Sequence, residues 1–209
     1  MAEKKAVRVS YGTAISLGLK RARQDAAPTT AYVLWDAGCQ GACSFCPRKQ
    51  EQAGQDRLSR ITWPEFSWED VVLRLKAGGG LRRVCLQTGW NDAAEKEVAA
   101  RVNDLTPIGL PICVTLHPAQ FALIAPLLKN GVERVGIGID AASPETYRRH
   151  KQRSWDEDVD HILVAMRDFP GRVGAHLIFG LGDSEETFLR TVDLVFKNQG
   201  TVALFALTP

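Results

Sequence analysis

Apolar runs of five to eight residues, rich in Val, Ile and Leu, alternate along this chain with amphipathic segments of ten or more residues. The runs predict six strands, at 31–35, 83–88, 111–116, 134–140, 173–179 and 202–207. Helical spacing of the apolar positions predicts five helices between them, at 63–76, 92–105, 118–130, 154–169 and 184–198. This alternation is typical of βαβ units, in which a parallel sheet is buried on both faces.

The order of elements predicts an α/β fold with parallel strands. Right-handed crossovers would wind the strands into either a curved open barrel or a doubly wound sheet, and the pattern alone does not separate the two. No helical pattern follows the sixth strand before the chain stops at Pro209. We therefore expect a continuation of the chain, or a partner, to cover that strand.

The N-terminal residues differ from the rest. Residues 1–30 are basic and lack a clean period, apart from a short helical pattern at 14–23 that would cover one end of the core. We interpret 1–30 as an N-terminal extension and 31–209 as one domain. Neither a secretory signal nor an apolar stretch long enough to cross a membrane is apparent.

Charge and cysteine content narrow the function. The chain of 209 residues has 26 Lys and Arg against 24 Asp and Glu, which gives a net charge of +2 and no indication of a nucleic-acid partner. Five cysteines, three of them within eight positions, fit a disulfide framework poorly. They favour metal ligation in a reducing cytoplasm.

The clustered cysteines are Cys39, Cys43 and Cys46, with three and two residues between them, directly after the first predicted strand. Parallel α/β folds place ligands at the carboxyl edge of the sheet, where this loop would lie. Three thiolates would hold three irons of a cubane and leave the fourth open to a small molecule. A structural zinc site, which normally has four ligands, and reduced structural cysteines are the alternatives.

The C-x3-C-x2-C spacing, with Phe45 before the last cysteine, resembles the radical S-adenosylmethionine superfamily. The resemblance covers 32–209 and implies a partial (βα)6 TIM-type barrel that lacks the last helix. It also implies a [4Fe-4S] cluster whose open iron binds S-adenosylmethionine. Reductive cleavage of that cofactor would give a 5′-deoxyadenosyl radical that abstracts hydrogen from a substrate.

The resemblance implies further cofactor contacts. Thr88 and Gly89 stand where the family has a glycine-rich turn at the methionine amino group, although they could simply form a turn that ends the strand. Asp140 stands where an acidic residue bonds the ribose, although it could instead cap the next helix. The family arginine for the methionine carboxylate falls on Asp158, with Arg153 as a nearby substitute. The resemblance also implies that the backbone of Ile178 and Gly180 contacts adenine. In the same segment, His176 and Asp183 replace the family's glycine and glutamate.

The order of these segments is most similar to the biotin synthase and archaeal-type lipoyl synthase branch, whose members insert sulfur. Biotin synthase has a second iron–sulfur cluster, and Cys85 and Cys113 stand at two of its cysteine positions. Gly174 stands at the third, which makes biotin synthesis itself doubtful. Core packing is the favoured alternative for Cys85 and Cys113, since free cysteine is often buried. His117 could reach the interior of the barrel, although a helix cap or a solvent-facing side chain is the favoured interpretation.

Three functions therefore remain open: a sulfur-inserting radical enzyme, a radical enzyme that acts on another carbon skeleton, and a noncatalytic metal-binding partner. The resemblance implies a low-potential electron donor such as ferredoxin or flavodoxin. Lipoyl-type chemistry would add an octanoyl carrier protein, and a second radical S-adenosylmethionine subunit could complete the barrel. We assign no catalytic side chain from the sequence.

Overall fold

The computed structural model describes residues 6–35, 38–48, 57–58 and 61–207. Its strands are β1 (Ala6–Val9), β2 (Thr30–Trp35), β3 (Arg57–Leu58), β4 (Ile61–Thr62), β5 (Glu65–Ser67), β6 (Arg83–Thr88), β7 (Ile112–Leu116), β8 (Arg134–Asp140), β9 (Val173–Phe179) and β10 (Thr201–Ala206). Its α-helices are α1 (Tyr11–Ser16), α2 (Trp68–Lys76), α3 (Asp92–Leu105), α4 (Ile124–Lys129), α5 (Pro144–Lys151), α6 (Trp155–Asp168) and α7 (Glu185–Lys197). Short 3-10 helices at Thr106–Ile108 and Pro118–Leu123 complete the description.

Strand order decides between the two architectures that the sequence left open. The main sheet has the strand order β10-β9-β8-β7-β6-β2-β1-β5. Its six parallel strands lie side by side in chain order, and they are β2, β6, β7, β8, β9 and β10. A doubly wound sheet reverses its order at a switch point, which this one does not. Crossovers of one hand then put the helices on one face, as in a barrel. The predicted partial α/β barrel is confirmed.

The six predicted strands all form, each within one residue of its expected limits. The predicted helix 63–76 begins later, at Trp68, because Glu65–Ser67 forms β5 and Ser67 caps the helix. The segment 118–130 divides into a 3-10 turn and α4. The sequence prediction did not give bounds for α5, which Ser143 caps through its side chain.

The N-terminal residues, expected to form an extension, contribute β1 to the sheet. β1 pairs antiparallel with β2 on one side and with β5 on the other. The helix expected at 14–23 lies earlier, at α1, and its Ala14 is fully buried in the core. These residues therefore extend the sheet beyond β2.

The sheet has two unlike faces. On the helix-covered face, alternate residues of β2, β6, β7, β8 and β9 are buried, as Val135, Ile137 and Ile139 are in β8. The other face, here called the inner face, presents the residues between them, including Cys85, Cys113 and His176. The edge strand β10 is more open, and its Leu204 is 63% exposed.

Candidate functional site

Cys39, Cys43 and Cys46 lie on the loop that follows β2, at the carboxyl edge of the parallel strands. All three are free thiols; Cys43 is buried and the other two are partly exposed. The backbone N–H of Cys46 donates to the carbonyl of Cys43 at 3.1 Å, which closes a turn between the last two cysteines. The loop therefore brings the three thiols to one end of the sheet.

The end of β6 holds the beginning of this loop. The N–H of Gln40 donates to the Trp90 carbonyl at 2.7 Å, and the N–H of Trp90 points at Cys39 Sγ at 3.5 Å. A Cβ on Gly89 would overlap the carbonyl oxygen of Gly38. Only glycine permits this close approach. Gly89 therefore has a structural role at this turn in addition to the expected cofactor contact.

His150, at the end of α5, holds the middle of the loop. Its Nε2 lies 2.9 Å from the Leu181 carbonyl and its Nδ1 lies 2.6 Å from Ser44 Oγ. Because a carbonyl can only accept, Nε2 carries the proton and Nδ1 accepts from the Ser44 hydroxyl. The sequence pattern gives no sign of this role for His150, since 106 positions separate it from Ser44.

Lys151 forms a buried ion pair beneath the cysteine loop. Its Nζ lies 2.6 Å from both Asp140 Oδ2 and the Gly138 carbonyl, and its side chain is 2% exposed. Burial is the largest single influence and lowers its pKa, but the Asp140 carboxylate together with the Cys43 and Cys46 sulfurs outweighs burial, so the pKa of Lys151 is raised. Lys151 Nζ also lies 5.9 Å from the centroid of the Phe45 ring.

Asp140 takes the unusual left-handed backbone conformation, with φ of 67°, at the irregular end of β8. It does not cap α5, because that role belongs to Ser143. Asp183, expected in place of a family glutamate, instead accepts hydrogen bonds from the Ala142 N–H at 2.8 Å and the Ser143 hydroxyl at 2.5 Å. The Asp140 carboxylate is therefore held near the cysteine loop by Lys151, where its position is compatible with the expected ribose contact.

Arg153 and Asp158 form a second ion pair near the loop. The Asp158 carboxylate is fully buried and accepts from Arg153 Nε at 2.6 Å and Nη2 at 2.7 Å. The Tyr147 hydroxyl donates to the same carboxylate at 2.6 Å. This places the Arg153 guanidinium 5.0 Å from the centroid of the Trp90 ring. Asp158 thus orients Arg153, the residue that the sequence suggests in place of the family arginine.

His117 combines a capping role with a position beside the cysteine loop. Its Nδ1 accepts from the Ala119 N–H at 3.2 Å, so the proton of the neutral ring is on Nε2. Nε2 is buried without a hydrogen-bond partner among the described residues. A Cβ on Gly41 would lie 3.5 Å from this nitrogen and 3.2 Å from Cys39 Sγ. The helix-cap interpretation is correct, the ring is buried rather than solvent-facing, and its free donor points toward the loop.

The thiols of the cysteine loop are partly or fully buried, and burial affects their protonation. Burial raises the pKa of Cys46 to about 11 and also raises the pKa of Cys43, so both thiols keep their protons at neutral pH until a metal displaces them. No three Cys, His, Asp or Glu side chains among the described residues converge on a point that would suit one metal ion. A cubane binds its ligands at separate corners and does not require that convergence.

A family model decides what this site belongs to. The Radical SAM superfamily model matches residues 36–195, which include all three cysteines, Asp140, Arg153 and Gly180. The chain belongs to the radical SAM superfamily. Membership of this family implies a [4Fe-4S] cluster and S-adenosylmethionine (SAM) as cofactors.

Biotin synthases are among the proteins of similar sequence. The chain is 23% identical over 163 residues to biotin synthase of Xanthomonas campestris pv. campestris strain B100, with 76% of this chain and 46% of that protein covered. It is 27% identical over 156 residues to biotin synthase of Bordetella petrii, with 70% and 43% covered. This radical SAM chain thus spans about half the length of the curated relatives it matches, and the similarity supports a biotin synthase-like branch.

Solved structures of other proteins have a similar fold. Methylornithine synthase superposes with a TM-score of 0.68 at 17% identity, covering 86% of this chain and 53% of that one. The FeFe-hydrogenase maturase from Carboxydothermus hydrogenoformans gives a TM-score of 0.65 at 18% identity, covering 86% and 44%. At these identities the likeness concerns the fold alone.

The remaining expected contacts occupy the same edge of the radical SAM sheet. The Thr88 hydroxyl donates to the Thr115 carbonyl at 3.1 Å, so it links β6 to β7. Ile178 is partly buried at the end of β9, and Gly180 follows it with φ of 107°. No described contact joins Ile178 or Gly180 to the cysteines.

Three glycines, in β8, in β9 and in the turn that follows β9, have little free space beside them. His176 fills the space beside Gly136, where a Cβ would overlap its ring. A Cβ on Gly174 would lie 2.5 Å from Thr201 Oγ1, and one on Gly180 would lie 3.2 Å from Leu207 Cβ. Neighbouring side chains therefore use this space for packing.

Of the helices in the described ranges, none has both the length and the apolar character that a membrane crossing requires.

Proposed function

We propose that the protein is a radical SAM enzyme that cleaves SAM reductively at a [4Fe-4S] cluster held by Cys39, Cys43 and Cys46. The observation that carries this proposal is the position of three free thiols on one loop at the carboxyl edge of the sheet, within the matched family region. When bound, the cluster and SAM supply a 5′-deoxyadenosyl radical for hydrogen abstraction from a substrate.

In this proposal, the residues around the loop bind and orient the cofactor. Phe45, Thr88 and Gly89 lie on or beside the loop, with Gly89 in contact with its first residues. Asp140, fixed by Lys151, accepts hydrogen bonds from the ribose, and Arg153, fixed by Asp158, attracts the methionine carboxylate. The adenine contacts are assigned to the backbone of Ile178 and Gly180.

The fixed orientation of these charged groups supports the assignment. Asp158 holds Arg153 through two hydrogen bonds, and Lys151 holds Asp140 through one. Groups that are already oriented lose little conformational entropy when a ligand arrives. A carboxylate and a guanidinium at this edge suit a zwitterionic ligand that also carries a ribose.

Sulfur insertion, as in lipoyl or biotin synthesis, is the first candidate for the reaction. The similarity to biotin synthases and the presence of Cys85 and Cys113 on the inner face favour it. A second iron–sulfur cluster at these two thiols would be its sulfur donor. Gly174 at the third cysteine position has little free space because Thr201 lies against it.

Hydrogen abstraction from another carbon skeleton, without sulfur, is the second candidate. The crowding at Gly174 favours this candidate, because a third thiolate for a donor cluster would have to come from elsewhere. A second cluster signal, or sulfur transferred to an octanoyl carrier, would separate the first candidate from this one.

Reductive cleavage of SAM requires a low-potential electron donor such as ferredoxin or flavodoxin, which we propose as a partner. An octanoyl carrier protein would be a further partner in lipoyl-type chemistry. A second radical SAM subunit could lie against β10, where Leu204 is 63% and Phe205 is 50% exposed. A reducing cytoplasm would suit an oxygen-sensitive cluster.

The test is anaerobic reconstitution, followed by iron and sulfide quantification and electron paramagnetic resonance before and after addition of SAM. We expect a cluster signal that SAM perturbs, together with formation of 5′-deoxyadenosine. Cys43→Ala should abolish the SAM-responsive signal, whereas the control Cys85→Ala, outside the loop, should keep it. Zinc in place of iron, or a signal that ignores SAM, would overturn the proposal. Intact SAM beside a perturbed cluster would leave a noncatalytic partner as the function.

A further inference from the structure

Two thiols outside the cysteine loop lie side by side on the inner face. Cys85 in β6 and Cys113 in β7 are Cα partners in the parallel register. Adjacent strands are about 4.8 Å apart, and disulfides span Cα separations of about 4.4 to 6.8 Å. Both side chains point to the same face, because paired residues of neighbouring strands share a face. The backbone spacing is therefore already suitable for a disulfide.

The two thiols have different surroundings. Cys85 Sγ lies 3.8 Å from the Thr115 hydroxyl oxygen. Cys113 Sγ faces a cation instead, the Arg83 guanidinium. Cys113 is therefore the member of the pair whose thiolate has a neighbouring positive charge.

Arg83 stabilises the charged member of the pair. Its Nη1 lies 4.0 Å from Cys113 Sγ, and its Nη2 forms a 2.6 Å ion pair with Glu133. Arg83 is two residues before Cys85 in β6, so its side chain leaves the same face. A guanidinium beside a partly exposed thiolate is the usual environment of a reactive cysteine.

The pair can also be reached. Cys113 is partly exposed, whereas Cys85 beneath it is 9% exposed. Tyr32, the β2 partner of Cys85, is 40% exposed on the same face. The thiolate is thus the accessible member and the buried thiol is the resolving one. This order is what exchange with an external disulfide requires.

We propose that Cys85 and Cys113 form a redox-active dithiol that exchanges with low-molecular-weight disulfides such as glutathione disulfide. The Cys113 thiolate attacks one sulfur of the disulfide RSSR, which gives a Cys113–SR mixed disulfide and releases RS⁻. The Cys85 thiol loses its proton, attacks Cys113 Sγ and expels a second RS⁻. The net reaction oxidises the dithiol to the Cys85–Cys113 disulfide and reduces RSSR to two RSH, with the second proton taken from solvent.

Oxidation would change the inner face without the proposed cluster taking part. The disulfide links β6 to β7 and removes the thiolate charge beside Arg83. The proposal therefore goes beyond the radical SAM function and does not depend on it. Ligation of a second cluster by the same cysteines is the competing use of the site.

The experiment places the anaerobic, cluster-loaded protein in buffers of graded glutathione to glutathione disulfide ratio, followed by acid quenching and alkylation. Trypsin separates Cys85, in peptide 84–96, from Cys113, in peptide 102–129, and leaves the three loop cysteines in peptide 24–48. We expect a linked 84–96/102–129 species whose fraction follows a two-electron titration. Cys85→Ser should stop at the mixed disulfide on Cys113.

Absence of the linked species, or linkage of either peptide to 24–48, would overturn the proposal. The proposal would also be overturned if the Cys43→Ala variant kept bound iron that the Cys85→Ser variant lost. Such iron would identify Cys85 and Cys113 as cluster ligands. Iodoacetamide labelling offers a second measurement on the same peptides. At pH 7 we expect Cys113, which is partly exposed beside Arg83, to react roughly tenfold faster than Cys85, which is 9% exposed. Equal rates would also count against the dithiol.

Discussion

The indole ring of Trp90 stacks on the imidazole of His117, with ring centroids 4.8 Å apart and planes inclined by only 6°. The Arg153 guanidinium lies 5.0 Å from the centroid of the same indole. The buried Asp158 therefore connects, through Arg153 and Trp90, to a histidine whose free Nε2–H lies beside the cysteine loop. Contacts within the protein itself therefore hold most of these groups in place.

Two replacements of His117 distinguish the roles of its two ring nitrogens. In His117→Asn the side-chain oxygen can keep the cap on Ala119 but the Nε2–H is lost, whereas His117→Gln can restore a donor near Nε2. Both variants lose the stacking on Trp90 and should be less stable by about 1 kcal/mol. Only His117→Asn should lower the midpoint potential of the cluster, because a hydrogen bond to a cluster sulfur favours the reduced form.

The measurement is a redox titration followed by electron paramagnetic resonance, with urea unfolding of both variants for comparison. Equal potentials in the wild type and His117→Asn would mean that Nε2 does not interact with the cluster.

Removal of the Lys151 charge should destabilise the fold. Lys151→Met leaves the Asp140 carboxylate, which is 14% exposed, without its ion-pair partner. The free energy of unfolding should fall by about 3 kcal/mol. Adding Asp140→Asn should recover part of this loss, since no unpaired charge then remains. Lys129→Met, on the exposed end of α4, is the control and should stay within about 0.5 kcal/mol of wild type. A loss in Lys151→Met no larger than in that control would contradict the buried pair.

Gly89→Ala tests the close approach of β6 to the cysteine loop. The new methyl group would overlap the Gly38 carbonyl, so the loop has to move. We expect a loss of about 1 to 3 kcal/mol in stability and a lower iron content after reconstitution. Gly12→Ala is the matched control, because its Cβ would meet atoms no closer than 3.7 Å. Normal iron content and stability in Gly89→Ala would rule out this contact.

Asp158→Asn should cost about 2 kcal/mol and release Arg153. Burial raises the pKa of the Asp158 carboxyl, but the hydrogen bonds from Arg153 and Tyr147 together outweigh burial and lower it. A lowered pKa means that the unfolded chain binds the proton more readily. The stabilising contribution is thus present above pH 3.8 and is lost as the pH falls further.

The difference in unfolding free energy between wild type and Asp158→Asn should therefore shrink below about pH 4. Urea unfolding at pH 7, 5 and 3.5 measures it. A difference that stays constant across this range would exclude the carboxylate as its source.

The sequence by itself determined the six parallel strands, most of the helices and the cysteine loop. Strand and helix periods are properties of successive residues, and Cys39, Cys43 and Cys46 are close in the chain. The sequence also indicated that Cys85 and Cys113 lie near each other, because they have equivalent places in neighbouring strands.

Only the tertiary structure decided the order of the strands, the roles of His150 and Lys151, and the use of the space beside Gly136. Ser44 and His150 are 106 positions apart, and nothing in either local pattern indicates the other. A contact of this kind depends on the curvature of the sheet and the direction of each side chain. Those are set by packing of the whole domain rather than by local periodicity.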